Sequence, residues 1–298
     1  MMRTALFCVT LVLLLTTAGC LQATDDAAAT LAVTDDTGVQ AVLSTPVARV
    51  VSLAPSETEV VCALGMDALL VGKTDYCNYP PKIEGAQSVG GPKTLNVEKI
   101  IGLQPDLVLA TTVTDTTKIE GIRAMGIPVL IFRLESLEDI HRNIETVGTV
   151  LDCPDAAAAL VGRMQEREAN VSAARHPAEP AAVLYVLWDD PLYVAGNNTL
   201  QDDLIRRAGG VNIMADAEGY VVASDEAVLT RAPDVIIAST SHTAGTAPIK
   251  DRLLARSVFA DVPAFRNGHI VTIDADLANR PGPRMVDTLE LFAACINA

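Results

Sequence analysis

Two stretches of this 298-residue chain, 97–110 and 225–238, align with each other without a gap. Each is a short capped helix, behind Asn96 or Ser224, then a Pro-Asp turn (Pro105-Asp106, Pro233-Asp234), then an unbroken apolar run. A glutamate, Glu98 or Glu226, stands seven residues before each of those prolines. An apolar run that does not alternate with polar residues is a strand covered on both faces, which calls for flanking helices and a mostly parallel sheet. Repeating that unit implies two lobes of like architecture facing each other across a cleft, with one carboxylate apiece at matching positions.

The rest of the pattern fits around this repeat. Residues 48–133 form a first α/β lobe, with strands at 50–53, 69–72, 107–110 and 127–132. Its first helix is expected to open with Ser56 and Glu59 at capping-box spacing and to close at Gly65. Residues 134–178 are a connecting helical segment, capped at Ser136 and Asp139, broken at Cys153-Pro154 and then resumed. Residues 179–298 return to the β/α pattern as a second lobe. The fold class is therefore α/β, two lobes with mostly parallel sheets joined by a long backbone helix.

The beginning of the chain carries an address rather than a fold. Arg3, an apolar run at 6–15 and the small residues leading to Cys20 form a signal peptide, residues 1–19, of the lipoprotein type. Cys20 is then the lipidated first mature residue, and residues 20–47, rich in Ala, Thr and Asp, read as a flexible tether. The expected location is the extracytoplasmic face of the cell membrane, held there through the lipid on Cys20.

Charge and motifs exclude several classes of function. A formal net charge of -15 with no basic stripe argues against nucleic acid. There is no GxSxG, HExxH or P-loop, so no catalytic residue is assigned and the chain is read as not an enzyme. The histidines and the cysteines Cys62, Cys77, Cys153 and Cys295 lack metal-ligand spacing, so no metal site is assigned either. Cys62 and Cys295 read as small hydrophobes.

Loops that follow strands are where α/β proteins hold ligands. The ligand-binding candidates are accordingly Ser56 and Glu57, then Tyr76 and Tyr79, then Gly90, Gly91 and Lys93, in the first lobe. Trp188, Tyr193, Asn279, Arg280 and Arg284 are their counterparts in the second. With one Trp and five Tyr in the whole chain, such a share in these loops points to a large apolar ligand with a polar rim.

Several linked runs then resemble a known family: Val51-Ser52-Leu53-Ala54-Pro55-Ser56-Glu57-Thr58-Glu59, Asp75-Tyr76 with Tyr79-Pro80-Pro81, Asn96-Val97-Glu98-Lys99-Ile100, Asp190-Pro191-Leu192-Tyr193 and Asn279-Arg280-Pro281-Gly282-Pro283-Arg284. They are similar to those of the extracytoplasmic binding proteins of ABC importers for cobalamin, ferric siderophores and haem, the vitamin B12-binding members being the nearer likeness. The resemblance implies a class III periplasmic-binding-protein fold, a protein monomeric when free, and no cofactor beyond its cargo. That cargo would be a corrinoid or, as the alternative, a ferric siderophore or haem. A siderophore would use Lys93, Arg280 or Arg284, and haem iron would use Tyr76 or His242. The implied partner is an ABC permease dimer with its ATPase subunits, docked through Glu98 and Glu226. Two departures stand out. The B12-binding pattern has a cleft Trp where this chain reads Val89-Gly90-Gly91-Pro92-Lys93, leaving Trp188 to supply a stacking surface from the other lobe. The partner expected for a disulfide with Cys295 is here Ala208.

Overall fold

A computed structural model describes residues 29–81, 83, 85–174, 180–240 and 247–298. The signal peptide, Cys20 and His242 lie outside the described residues.

The globular part begins earlier than the sequence suggested. A hairpin of β1 (Thr30–Thr34) and β2 (Gln40–Ser44) occupies most of the expected tether. In β2 alternate residues turn inward and bury Ala41 and Leu43. Its turn is organised by Asp35, whose Oδ1 accepts from Thr37 N (2.9 Å), Thr37 Oγ1 (2.6 Å) and Val39 N (3.0 Å), and whose Oδ2 meets Arg123 at 2.7 Å. Burial alone would push this carboxyl up, but those hydrogen bonds and one from Ile131 N hold it below the usual carboxylate range. The composition misled because the acidic residue serves the turn from inside.

The first lobe runs β3 (Val50–Ser52), α1 (Pro55–Ala63), β4 (Leu70–Lys73), β5 (Gln87–Ser88), α2 (Val97–Gly102), β6 (Leu107–Thr111), α3 (Thr116–Arg123) and β7 (Val129–Phe132). Its sheet is parallel throughout, in the order β5-β4-β3-β6-β7. The expected capping box at Ser56 does not form. Pro55 starts α1 and Ala54 is its N-cap, so Ser56 and Glu59 both lie within the helix and are free for other partners. The connector is two helices, α4 (Leu137–Val150) and α5 (Pro154–Ala173), with Ser136 accepting from Asp139 N at the start as its spacing predicts.

The second lobe runs β8 (Ala182–Asp189), β9 (Leu192–Ala195), α6 (Leu200–Ala208), β10 (Val211–Asn212), β11 (Tyr220–Val222), α7 (Asp225–Arg231), β12 (Val235–Ser239), α8 (Ile249–Leu254), α9 (Pro263–Arg266), β13 (Ile270–Ile273), α10 (Ala275–Ala278) and α11 (Met285–Ile296). Its sheet order is β11-β9-β8-β12-β13, in which β8, β12 and β13 are parallel while β9 and β11 are antiparallel additions. The segment expected to be a loop around Trp188 and Tyr193 is a hairpin, with those two residues paired across β8 and β9. Asp190-Pro191 makes its two-residue turn, too short to announce itself among apolar neighbours.

The repeat is real at the level of atoms. Asp106 N donates to Arg49 O while Asp106 Oδ2 accepts from Arg49 N, and Asp234 N donates to Ala182 O while Asp234 Oδ2 accepts from Ala182 N. Each Pro-Asp turn thus clips its own strand to the start of the neighbouring one. In β6, Leu107 and Leu109 face the central core and Val108 and Ala110 the outer face; in β12, Val235 and Ile237 take the first role and Ile236 and Ala238 the second. The central core runs without interruption from Leu109 through Ile140 and Val147 of α4 to Tyr185 and Phe292. Each such side chain contributes roughly 1.5–3 kcal/mol of burial, so rotating one lobe against the other would disturb a shared interior.

Cys62, Cys77, Cys153 and Cys295 are free thiols. Cys62 and Cys295 pack half-buried against the central core, where burial pushes Cys62 up to about 11. In place of a bond from Cys295 to position 208, Asn297 Nδ2 donates to Ala208 O at 3.2 Å and ties down the end of α11.

Candidate ligand-binding cleft

The C-terminal ends of the strands in both sheets open onto a gap between the lobes. A cavity of about 380 Å³ lies there, walled on one side by Pro55, Ser56, Thr111, Phe132 and Glu135 and on the other by Asn198, Gln201, Tyr220 and Asn279. Past Pro55, Asn279 and Arg280, which border both spaces, a second hollow of about 350 Å³ lies between Tyr76 and Pro92 of the first lobe and Leu187 and Trp188 of the second. The aromatic rings and Pro faces offer apolar contact, and hydroxyl and carboxamide groups supply the polar complement.

A chain of hydrogen bonds fixes the second-lobe wall. Tyr220 Oη donates to Gln201 Oε1 (2.5 Å), Gln201 Nε2 donates to Asn279 Oδ1 (3.1 Å), and Tyr185 Oη donates to the same oxygen (2.8 Å). Asn279 Oδ1 is thereby occupied, and its amide N–H groups, without partners among the described residues, are the part left for a ligand. Tyr220 lines the cleft while its hydroxyl is held by Gln201, and burial pushes that phenol up to about 12. Tyr193 stacks on Tyr220 with centroids 6.3 Å apart, borders neither cavity, and so supports the wall from behind.

The cations beside the cleft are already engaged. Arg284 makes a bidentate pair with buried Glu59 (2.8 and 2.6 Å) and lies over the Tyr79 ring at 3.9 Å. Arg280 meets Asp276 at 2.5 Å and donates to Asn78 Oδ1 at 2.5 Å, with Glu59 Oε1 3.9 Å away. Glu59, Asn78 and Tyr79 belong to the first lobe and the two arginines to the second, so this cluster clamps the lobes together. Arg284 and Tyr79, expected in the cleft, instead border a separate flank hollow of about 260 Å³.

Other expected ligand contacts also move. Glu57 is fully buried and points to α4, where Asn143 Nδ2 donates to its Oε1 at 3.0 Å; burial pushes its carboxyl up to about 8. Gly90 has φ +96°, and a Cβ there would fall 2.3 Å from Thr94 O; a Cβ on Gly91 would fall 3.0 Å from the Tyr76 ring. Both glycines shape the loop that carries Tyr76. Lys93 is exposed and borders neither space. Ser56, Tyr76, Trp188, Asn279 and Arg280 do line the cleft. Sequence reasoning passed over Thr111, Glu135, Gln201 and Tyr220. The rule that ligands sit at strand ends would have found the first two, since Thr111 is the last residue of β6 and Glu135 lies three residues beyond β7.

Glu98 and Glu226 each occupy the second helical position behind a side-chain cap, Asn96 or Ser224, and both are exposed. Each helix runs back along the strand it precedes, so its first turn lies at the cleft end of its sheet. Neither carboxylate forms an ion pair among the described residues.

Two lobes built on one plan and enclosing a cavity between them define the architecture of a two-lobed binding protein. The chain belongs to the family described as "Periplasmic binding protein", which matches residues 50–277 and consists of binding proteins rather than enzymes. It is 30% identical over 246 residues to a "Vitamin B12-binding protein" of Vibrio parahaemolyticus, covering 82% of this chain and 87% of that one. Among solved structures, the periplasmic haem-binding protein BhuT with two haems matches with TM-score 0.76 and 31% identity, over 83% of this chain and 97% of that chain. The periplasmic vitamin B12 binding protein BtuF of Vibrio cholerae matches with TM-score 0.75 and 28% identity, over 85% and 97%. Backbone likeness is thus equal for the two ligand classes, and the choice between them falls to the side chains of the cleft.

Proposed function

We propose that this protein is the extracytoplasmic binding component of an ABC importer and captures a corrinoid between its lobes for delivery to the permease. The observation that carries the ligand class is the charge state of the cleft. Its arginines are paired internally with Glu59 and Asp276, the one lining charge without a partner among the described residues is the Glu135 carboxylate, and the walls are otherwise aromatic, aliphatic, hydroxyl and carboxamide groups. A ferric siderophore or the propionates of haem need free cations, whereas a corrinoid brings a large apolar ring edged with neutral amides. Trp188, 38% exposed across from Tyr76, supports the reading by offering a stacking face from the second lobe. Haem is the second reading, favoured by Tyr76, which is 59% exposed and whose phenol has no hydrogen-bond partner among the described residues, so that it could approach an iron.

In this account Cys20 carries the lipid, Glu98 and Glu226 pair with cations on a two-fold permease, and the ATPase subunits drive release. The continuous core through α4 limits lobe closure to small movements. Titrating the ligand-free protein with cobalamin, cobinamide, haem and a ferric siderophore tests the assignment. Tightest binding of a corrinoid is expected, and preference for haem or siderophore rejects the corrinoid reading.

A further inference from the structure

Counting charges around the larger cavity leaves one residue unaccounted for. Of the two charged residues that line it, Arg280 is paired with Asp276, whereas the Glu135 carboxylate has no partner among the described residues. Its place is fixed by its own backbone: Glu135 N donates to Asp139 Oδ2 (3.0 Å) while Asp139 N donates to Ser136 Oγ (3.1 Å). This reciprocal cap at the start of α4 holds the residue at the cavity edge, close enough for its charge to bear on the Tyr220 phenol across the gap.

Two further groups on the same cavity lack partners. Thr111 is 6% exposed and its Oγ1 makes no hydrogen bond, and the Asn279 amide retains its N–H groups once Oδ1 is occupied. The cavity therefore presents an anionic acceptor together with neutral donors, in a setting where unmade hydrogen bonds are costly. A primary carboxamide complements that set, because its N–H₂ can donate to Glu135 while its carbonyl accepts from the Asn279 amide. A carboxylate does not: it has nothing to donate and meets a like charge.

We infer that Glu135 is a specificity residue that accepts a hydrogen bond from a carboxamide on the ligand's edge and rejects the corresponding carboxylate. The inference rests on the corrinoid reading and sharpens it, since amide-edged and acid-edged corrinoids would otherwise bind alike.

The test compares cyanocobalamin with the set of its monocarboxylates, each having one peripheral propionamide hydrolysed, on the wild-type protein and on Glu135→Gln. On the wild type, at least one monocarboxylate should bind roughly tenfold more weakly than cyanocobalamin, a discrimination of the size one solvent-screened like-charge contact produces. On Glu135→Gln that isomer should come within about twofold of cyanocobalamin, because Gln offers the acid both a donor and no charge. An unchanged thermal midpoint for this exposed, isosteric replacement would tie the change to the contact. All monocarboxylates binding the wild type within twofold of the amide, or a loss that persists in Glu135→Gln, overturns the inference and leaves the corrinoid reading standing. Failure of every corrinoid to bind removes both.

Discussion

The buried Glu57 makes the stability of this protein depend on pH in a direction opposite to that of most carboxylates. Its side chain is wholly enclosed between α1 and α4; Oε1 accepts from Asn143 Nδ2 and from Ser56 Oγ, while Oε2 and Asn143 Oδ1 are both buried without a partner. A proton on the carboxyl provides the missing donor, for which Asn143 Oδ1 is an acceptor, and burial raises the group from 4.5 to about 8. The folded state therefore binds this proton more tightly than the unfolded chain. Stability from this group is complete below pH 4.5, falls as pH rises, and is gone above about 8. At roughly 1.4 kcal/mol for each pH unit across that interval, the loss is on the order of 4–5 kcal/mol. Glu57→Gln mimics the protonated acid, with a carboxamide that can both accept from and donate to Asn143. Denaturant unfolding of the wild type and Glu57→Gln at a series of pH values from 4.5 to 9 cancels every other titrating group in the difference. The variant should match the wild type near pH 5 and exceed it by several kcal/mol at pH 9. Parallel curves for the two proteins would refute the claim that Glu57 folds in its neutral form.

Three other outcomes follow from the site. Glu98→Ala with Glu226→Ala should abolish uptake in cells while leaving ligand affinity nearly unchanged, and normal transport by the double variant would remove the docking role. Trp188→Ala should weaken ligand binding by roughly tenfold or more, the worth of one aromatic face; unaltered affinity in a binding titration would mean the ring does not touch the cargo. Arg284→Ala should cost about 3 kcal/mol in denaturant unfolding, because it strands Glu59 at 3% exposure with only Arg280, 3.9 Å away, to compensate.

How much of this was legible in the sequence depended on the range of the interactions involved. Caps at Asn96, Ser136 and Ser224 were readable because donor and acceptor lie three residues apart. Strands β6 and β12 were readable because complete burial leaves an unbroken apolar run. The β1–β2 hairpin was not, since only one oxygen of Asp35 is satisfied within the turn and the other depends on Arg123 and Ile131, far along the chain. For the same reason Arg284 was taken for a ligand contact: its partner, Glu59, is 225 residues away, and nothing local distinguishes a cation awaiting an anion from one that already holds its own. Glu57 and Glu59 sit two positions apart in one helix and meet different fates, one hydrogen-bonded to Asn143 and one ion-paired with Arg284. Only the packing of α4 and the approach of the second lobe separate them.

The early hairpin also sets how far the protein could stand from the lipid proposed at Cys20. With Thr30 already committed to β1, only some nine residues separate Cys20 from the folded body, and even fully drawn out they reach roughly 30 Å. A lipid at Cys20 would then act as a short leash that confines the molecule to a thin shell above the bilayer. Within such a shell the encounter with a permease is a search in two dimensions, and the local concentration is set by leash length rather than by how much protein the cell exports.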